Sequence, residues 1–81
     1  EFLICLNRVD YEEGCHIAER IRSAVERIAL SGTDIRVTAS LGVLTVSDLD
    51  MTAEEMIKNV DEKLYIAKDQ GRNRIVGEKM V

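Results

Sequence analysis

Two stretches of this chain open with the same local pattern. Asp10-Tyr11-Glu12-Glu13 and Thr52-Ala53-Glu54-Glu55 each set a side-chain acceptor three residues ahead of a glutamate. Such a capping box satisfies the free amides at the start of an α-helix. Apolar residues follow each box at three- and four-residue steps. The first set is Ile17, Ala18, Ile21, Ala24, Val25 and Ile28, with Glu19, Arg20, Arg22, Glu26 and Arg27 on the other face. It predicts a helix over about residues 11–30, closed by Ser31-Gly32. The second set is Met56, Ile57, Val60, Leu64 and Ala67, in a helix that ends near Gln70 with Gly71 just beyond.

The segments around these helices have a different period. Phe2-Leu3-Ile4-Cys5-Leu6 is an unbroken apolar run, too short for a helix, and reads as a strand buried on both faces. Ile35, Val37, Ala39, Leu41 and Val43 alternate with Arg36, Thr38, Ser40, Gly42 and Leu44, the mark of a half-buried strand. Gly42 inside it signals a bulge or a close backbone approach. Ile75-Val76 reads as a short last strand. The order β-α-β-α-β implies an α/β (α+β) sandwich, and both a ferredoxin-like and a small doubly wound fold satisfy it.

Composition narrows the function classes. With 81 residues there is room for one small domain. Fifteen acids against eleven bases leave a net charge of −4. That balance argues against nucleic acid as a partner, because phosphate neutralisation dominates such binding. No apolar run approaches the roughly 20 residues that span a bilayer. Cys5 and Cys15 are too few for a disulfide framework and fit free thiols in a reducing cytoplasm.

The locally basic stretch is Lys68-Asp69-Gln70-Gly71-Arg72-Asn73-Arg74. Cations at a helix C-terminus complement its dipole, which alone accounts for them. An anion clamp is the other reading. A helix continuing regularly would align Asp61, Tyr65, Lys68 and Arg72 on one stripe. Lysine would then act as a point charge and arginine as a two-pronged donor to phosphate oxygens. Glu1 stands at the mouth of the first expected strand, where a carboxylate suits Mg²⁺ shared with substrate phosphates; a plain exposed acid is the other reading. His16 has no second ligand at metal spacing and reads as a helix-surface residue. None of Ser23, Ser31, Ser40 and Ser47 has a nucleophile-elbow context, and Met56 at helical spacing reads as core.

Three segments together resemble one family. Glu1-Phe2-Leu3-Ile4 is similar to the end of the GGDEF signature and the strand after it. Arg36-Val37-Thr38-Ala39-Ser40-Leu41-Gly42-Val43 is similar to that family's VTASIGV strand. Residues 60–74, VDEKLYIAKDQGRNR, resemble its closing AD-x-ALY-x-AK-x-x-GRN motif, with Val60 at a position usually held by alanine. Ala18-Glu19-Arg20-Ile21-Arg22-Ser23-Ala24-Val25 fits the intervening helix. The resemblance implies a ferredoxin-like core of the nucleotidyl-cyclase and polymerase-palm type, with residues 1–76 as the C-terminal half of a GGDEF domain and 77–81 as a tail.

It further implies diguanylate cyclase activity: two GTP molecules joined into cyclic di-GMP with release of pyrophosphate, using Mg²⁺ or Mn²⁺. Glu1 matches the metal-binding and catalytic fourth letter of the signature, and Lys68 and Arg72 match the phosphate-holding residues. The implied partners are GTP, a second GGDEF domain in a homodimer, and an upstream sensory or receiver domain, in the cytoplasm. A catalytically degenerate GGDEF domain that binds GTP or a protein to regulate is the alternative. In the family, the first strand lies between those matching residues 2–7 and 35–44. Without that neighbour both strands leave backbone groups unpaired, so the 81-residue chain is not expected to fold natively alone.

Overall fold

The structure, a computed structural model, describes residues 1–28, 33–47 and 51–80. Helix α1 spans Tyr11–Glu26, strand β1 Leu41–Val46, helix α2 Ala53–Asp69 and strand β2 Ile75–Met80. Both helices start where the capping boxes place them. Asp10 is extended, and its Oδ1 accepts the Glu13 amide at 2.8 Å. Thr52 Oγ1 accepts the Glu55 amide at 3.1 Å and donates to Glu55 Oε1 at 3.1 Å. The first helix is shorter than predicted: it ends at Glu26, where the Arg27 amide caps it by donating to the Ser23 carbonyl at 3.2 Å, and Ser31-Gly32 lie outside the described residues.

The two strands pair in parallel, from Leu41 opposite Ile75 to Val46 opposite Met80, with α2 as the crossover between them. Each helix covers one face. A side chain at Gly14 of α1 would meet Val43 and Thr45, and one at Gly42 would meet the backbone of Val60 and Leu64 in α2. Odd positions of β1 thus face α1 and even positions face α2, and the helices do not touch each other. The molecule is three layers: helix, two-stranded sheet, helix.

Gly42 is the close approach that the sequence signals. A Cβ there would lie 2.5 Å from the Val60 carbonyl oxygen and 2.7 Å from the Leu64 nitrogen. Only a residue without a side chain lets α2 settle so near the strand.

Four expectations need correction. Phe2–Leu6 forms no strand; Phe2 is 99% exposed, and Leu3, Ile4 and Leu6 are exposed with it. A strand exists only through its neighbours, and among the described residues none pairs with this run. The second strand begins at Leu41 rather than Ile35 and is not half-buried by alternation. All six of its residues are partly covered, because both faces carry a helix. On α1 Ala24 is exposed, and Ile28 lies beyond the helix and is exposed too, whereas Arg22 is largely covered. The last strand extends past Ile75-Val76 to Met80.

The core is small. Only Ala18 and Ala67 are buried apolar residues among those described; Met56 is half-buried. The accessible surface is 6375 Å². A folded monomer of 9.1 kDa exposes about 4,900 Å². The radius of gyration, 13.9 Å, likewise exceeds the ~12 Å of a compact domain of this length. No helix among the described residues is long and apolar enough to cross a membrane. Cys5 is exposed, Cys15 is half-buried, and both are free thiols.

Candidate functional site

Helix α2 ends in a way that shapes everything after it. Gln70 closes the helix, Gly71 takes φ 121°, and the chain reverses. The Gly71 amide donates to the Lys68 carbonyl at 3.3 Å and the Arg72 amide to the Ala67 carbonyl at 2.9 Å. This pair of bonds is the Schellman arrangement, and it uses carbonyls the helix end would otherwise leave free.

The reversal breaks the expected stripe. Asp61 and Tyr65 stay on the outer face of α2, where Tyr65 is 70% exposed and both line an open trough with Glu54, Ile57, Lys58 and Glu62. Arg72 does not continue that face. It sits beyond the helix with φ 63°, because the Gly71 turn carries the chain away from the helical path.

Lys68 remains in the last turn of α2. Its Nζ lies 3.7 Å from Oε2 of Glu1, with both side chains well exposed to solvent. So the structure brings Glu1 and Lys68 together although residues 2–6 form no strand. A pair this loose and this exposed is worth ~1 kcal/mol or less. Lys68 can exchange its partner for another anion at small cost. Arg72 is also exposed, and no ion pair engages its guanidinium among the described residues. Lys68 and Glu1 therefore meet at the C-terminal end of α2, and Arg72 follows on the turn just beyond it.

The turn that carries Arg72 is held from outside by residues the sequence reading put to other uses. Asn73 Oδ1 accepts a hydrogen bond from Arg22 Nη1 at 2.7 Å. Its Nδ2 donates to Glu26 Oε2, and its amide donates to Ser40 Oγ at 3.2 Å. Arg22 is fixed in turn by Glu19, through Nε to both carboxylate oxygens at 2.9 Å, and by Glu26 at 3.3 Å. The Glu19 carboxyl is held below its ordinary range by the Arg22 bond. Glu26 is lowered first by the Asn73 amide and then by Arg22. The Leu41 amide completes the frame by donating to the Arg74 carbonyl at 3.0 Å.

His16 is exposed near the start of α1, away from any other metal donor set. Among the described residues no cluster of three or more His, Cys, Asp or Glu is placed to hold a metal ion. Glu1 thus belongs to no such cluster. Alone it makes no closed metal site, but it suits a cation that takes one carboxylate and fills its shell with phosphate oxygens and water.

The model of the diguanylate cyclase GGDEF domain matches residues 1–74. The chain is 38% identical over 82 residues to Diguanylate cyclase A of Treponema denticola, covering 98% of this chain and 22% of that protein. It is 41% identical over 78 residues to Diguanylate cyclase DosC of Escherichia coli, covering 93% of this chain and 17% of the relative. Diguanylate cyclase DgcM of the same species is 37% identical over 76 residues, covering 94% and 18%. The chain thus spans about a fifth of the length of these relatives. No solved structure matches it. On the family match, and with the α/β layers and the basic turn after α2 in the order the motifs predict, the chain belongs to the GGDEF family of diguanylate cyclase domains.

Proposed function

We propose that this chain supplies the phosphate-holding part of a diguanylate cyclase domain that condenses two GTP molecules into cyclic di-GMP and pyrophosphate. One observation carries the reading. Lys68 lies beside Glu1 in the last turn of α2 and Arg72 follows on the adjoining turn, at the positions that match the family's motifs, with no strong competing partner for either cation.

Lys68 contributes a mobile point charge and Arg72 a planar donor pair, the two ways side chains commonly hold phosphate oxygens. Glu1 would hold Mg²⁺ or Mn²⁺ jointly with the nucleotide. Bound there, the metal would neutralise charge on the phosphates and polarise the reacting one. Little covalent work falls to the protein in phosphoryl transfer, so positioning and charge neutralisation are its main contributions. The reading carries with it a homodimer, in which each domain presents its GTP to the other, a cytoplasmic location, and an upstream sensory or receiver domain.

The test is turnover of GTP with Mg²⁺ in the protein at full native length. Lys68→Ala with Arg72→Ala is expected to cut cyclic di-GMP formation by roughly a hundredfold or more, the scale for losing preorganised charge at a reacting group, with an unchanged thermal melt. Undiminished turnover would remove both cations from the mechanism. GTP binding without turnover in the unsubstituted protein would instead mark a regulatory module of the same fold.

A further inference from the structure

Arg72 and Asn73 both have left-handed backbones, at φ 63° and 48°. Asparagine adopts this conformation readily, whereas arginine does so at a cost. Arg72 makes little that would offset that cost. Its amide bonds to Ala67, its carbonyl accepts from Arg74 Nε at 3.1 Å, and its guanidinium is untethered among the described residues. Asn73 is the opposite case. Three groups from two distant parts of the chain hold it: Arg22 and Glu26 of α1, and Ser40 just before β1. The candidate phosphate cation is therefore not itself fixed; its neighbour is.

We propose that Asn73 is a positioning residue, which sets the direction of the Arg72 guanidinium toward a phosphate of the nucleotide by anchoring the turn to α1. The inference rests on the reading of Arg72 as a phosphate contact. The anchor spans layers that otherwise meet only through the sheet, since α1 and α2 do not touch. Releasing Asn73 frees the rotation of the preceding peptide. The guanidinium then samples several directions and must be ordered anew each time phosphate binds.

Calorimetric titration of GTP with Mg²⁺ into the full-length protein tests this through a double-mutant cycle of Arg72→Ala and Asn73→Ala. Asn73→Ala is expected to weaken GTP binding about tenfold, the weight of one charge-assisted contact. The double variant is expected to bind no more weakly than Arg72→Ala alone, because Asn73 acts only through Arg72. Asn73→Gly keeps the left-handed backbone accessible but lacks the amide, and is expected to match Asn73→Ala; it carries the cycle if Asn73→Ala does not fold. Additive losses, or undiminished binding in the Asn73 variants, would overturn the positioning role while leaving the phosphate reading intact. GTP binding unchanged by Arg72→Ala would overturn both.

Discussion

Glu26 faces two donors at once, the Asn73 amide and Arg22, and its carboxyl lies below the ordinary value of 4.5 for that reason. A group with a depressed folded pKa stabilises the fold above its unfolded value and loses that contribution as pH falls through the folded value. The melting temperature of the full-length protein should therefore begin to drop as pH passes below about 4.5. Glu26→Gln should flatten part of that acid limb while leaving the melt at pH 7 lower than in the parent. Superimposable acid limbs for the two proteins would show that the carboxylate contributes nothing there. The same cluster marks what could not be read from sequence. Lys68 and Arg72 were legible from a basic run after a helix and from a motif. Arg22 and Glu26 were assigned to a solvent face, because helical periodicity carries no information about a partner 51 positions away. Asparagine just past a glycine stop was the available hint, since it tolerates the left-handed turn.

At the level of elements, the two glycines that face the helix layers from the sheet and from α1 should respond oppositely to alanine. Gly42→Ala pushes a methyl group against the α2 backbone at 2.5 Å, where nothing flexible can yield. Overpacking of that kind should destabilise the full-length protein by about 3 kcal/mol. At Gly14 the nearest atoms to an added Cβ are 3.8 Å away, an ordinary contact. Gly14→Ala should therefore stabilise by about 1 kcal/mol through helix propensity. Thermal or urea melts of both variants check the signs; an unstabilised Gly14→Ala would mean the helix–sheet spacing is tighter than the geometry shows. Helix starts were legible because a capping box is a local device, complete within four residues. The run from Phe2 to Leu6 reads as a strand but forms none, because its apolar content states only that it needs covering. What covers it is a non-local fact. For β1, alternation suggested one covered face, and the second helix layer made it two.

For the whole molecule the deciding quantity is how little surface is buried. Two alanines are the only buried apolar residues among those described, and Phe2, Leu3, Ile4, Ile35 and Tyr65 are each more than half exposed. Chain entropy of roughly 1–2 kcal/mol per ordered residue has to be offset by burial. A core of this size falls short. The 81-residue chain alone should show no cooperative monomeric unfolding transition, and should bind a hydrophobic dye across its exposed run. A sharp, concentration-independent melt of the purified 81-mer would refute this.

The anchoring of Asn73 also fixes when the site can exist. Its bonds to Arg22 and Glu26 close loops of 51 and 47 residues, and β1 meets β2 only after α2 has formed between them. Contacts of such sequence separation are made late in folding, because loop closure must come before any gain from packing. During synthesis, α1 and β1 therefore leave the ribosome well before the cations that they help to hold. Binding competence arrives only in the last steps of folding, so a chain stalled short of residue 73 has α1, the β1 segment and α2 but neither the anchor nor the strand that completes the sheet.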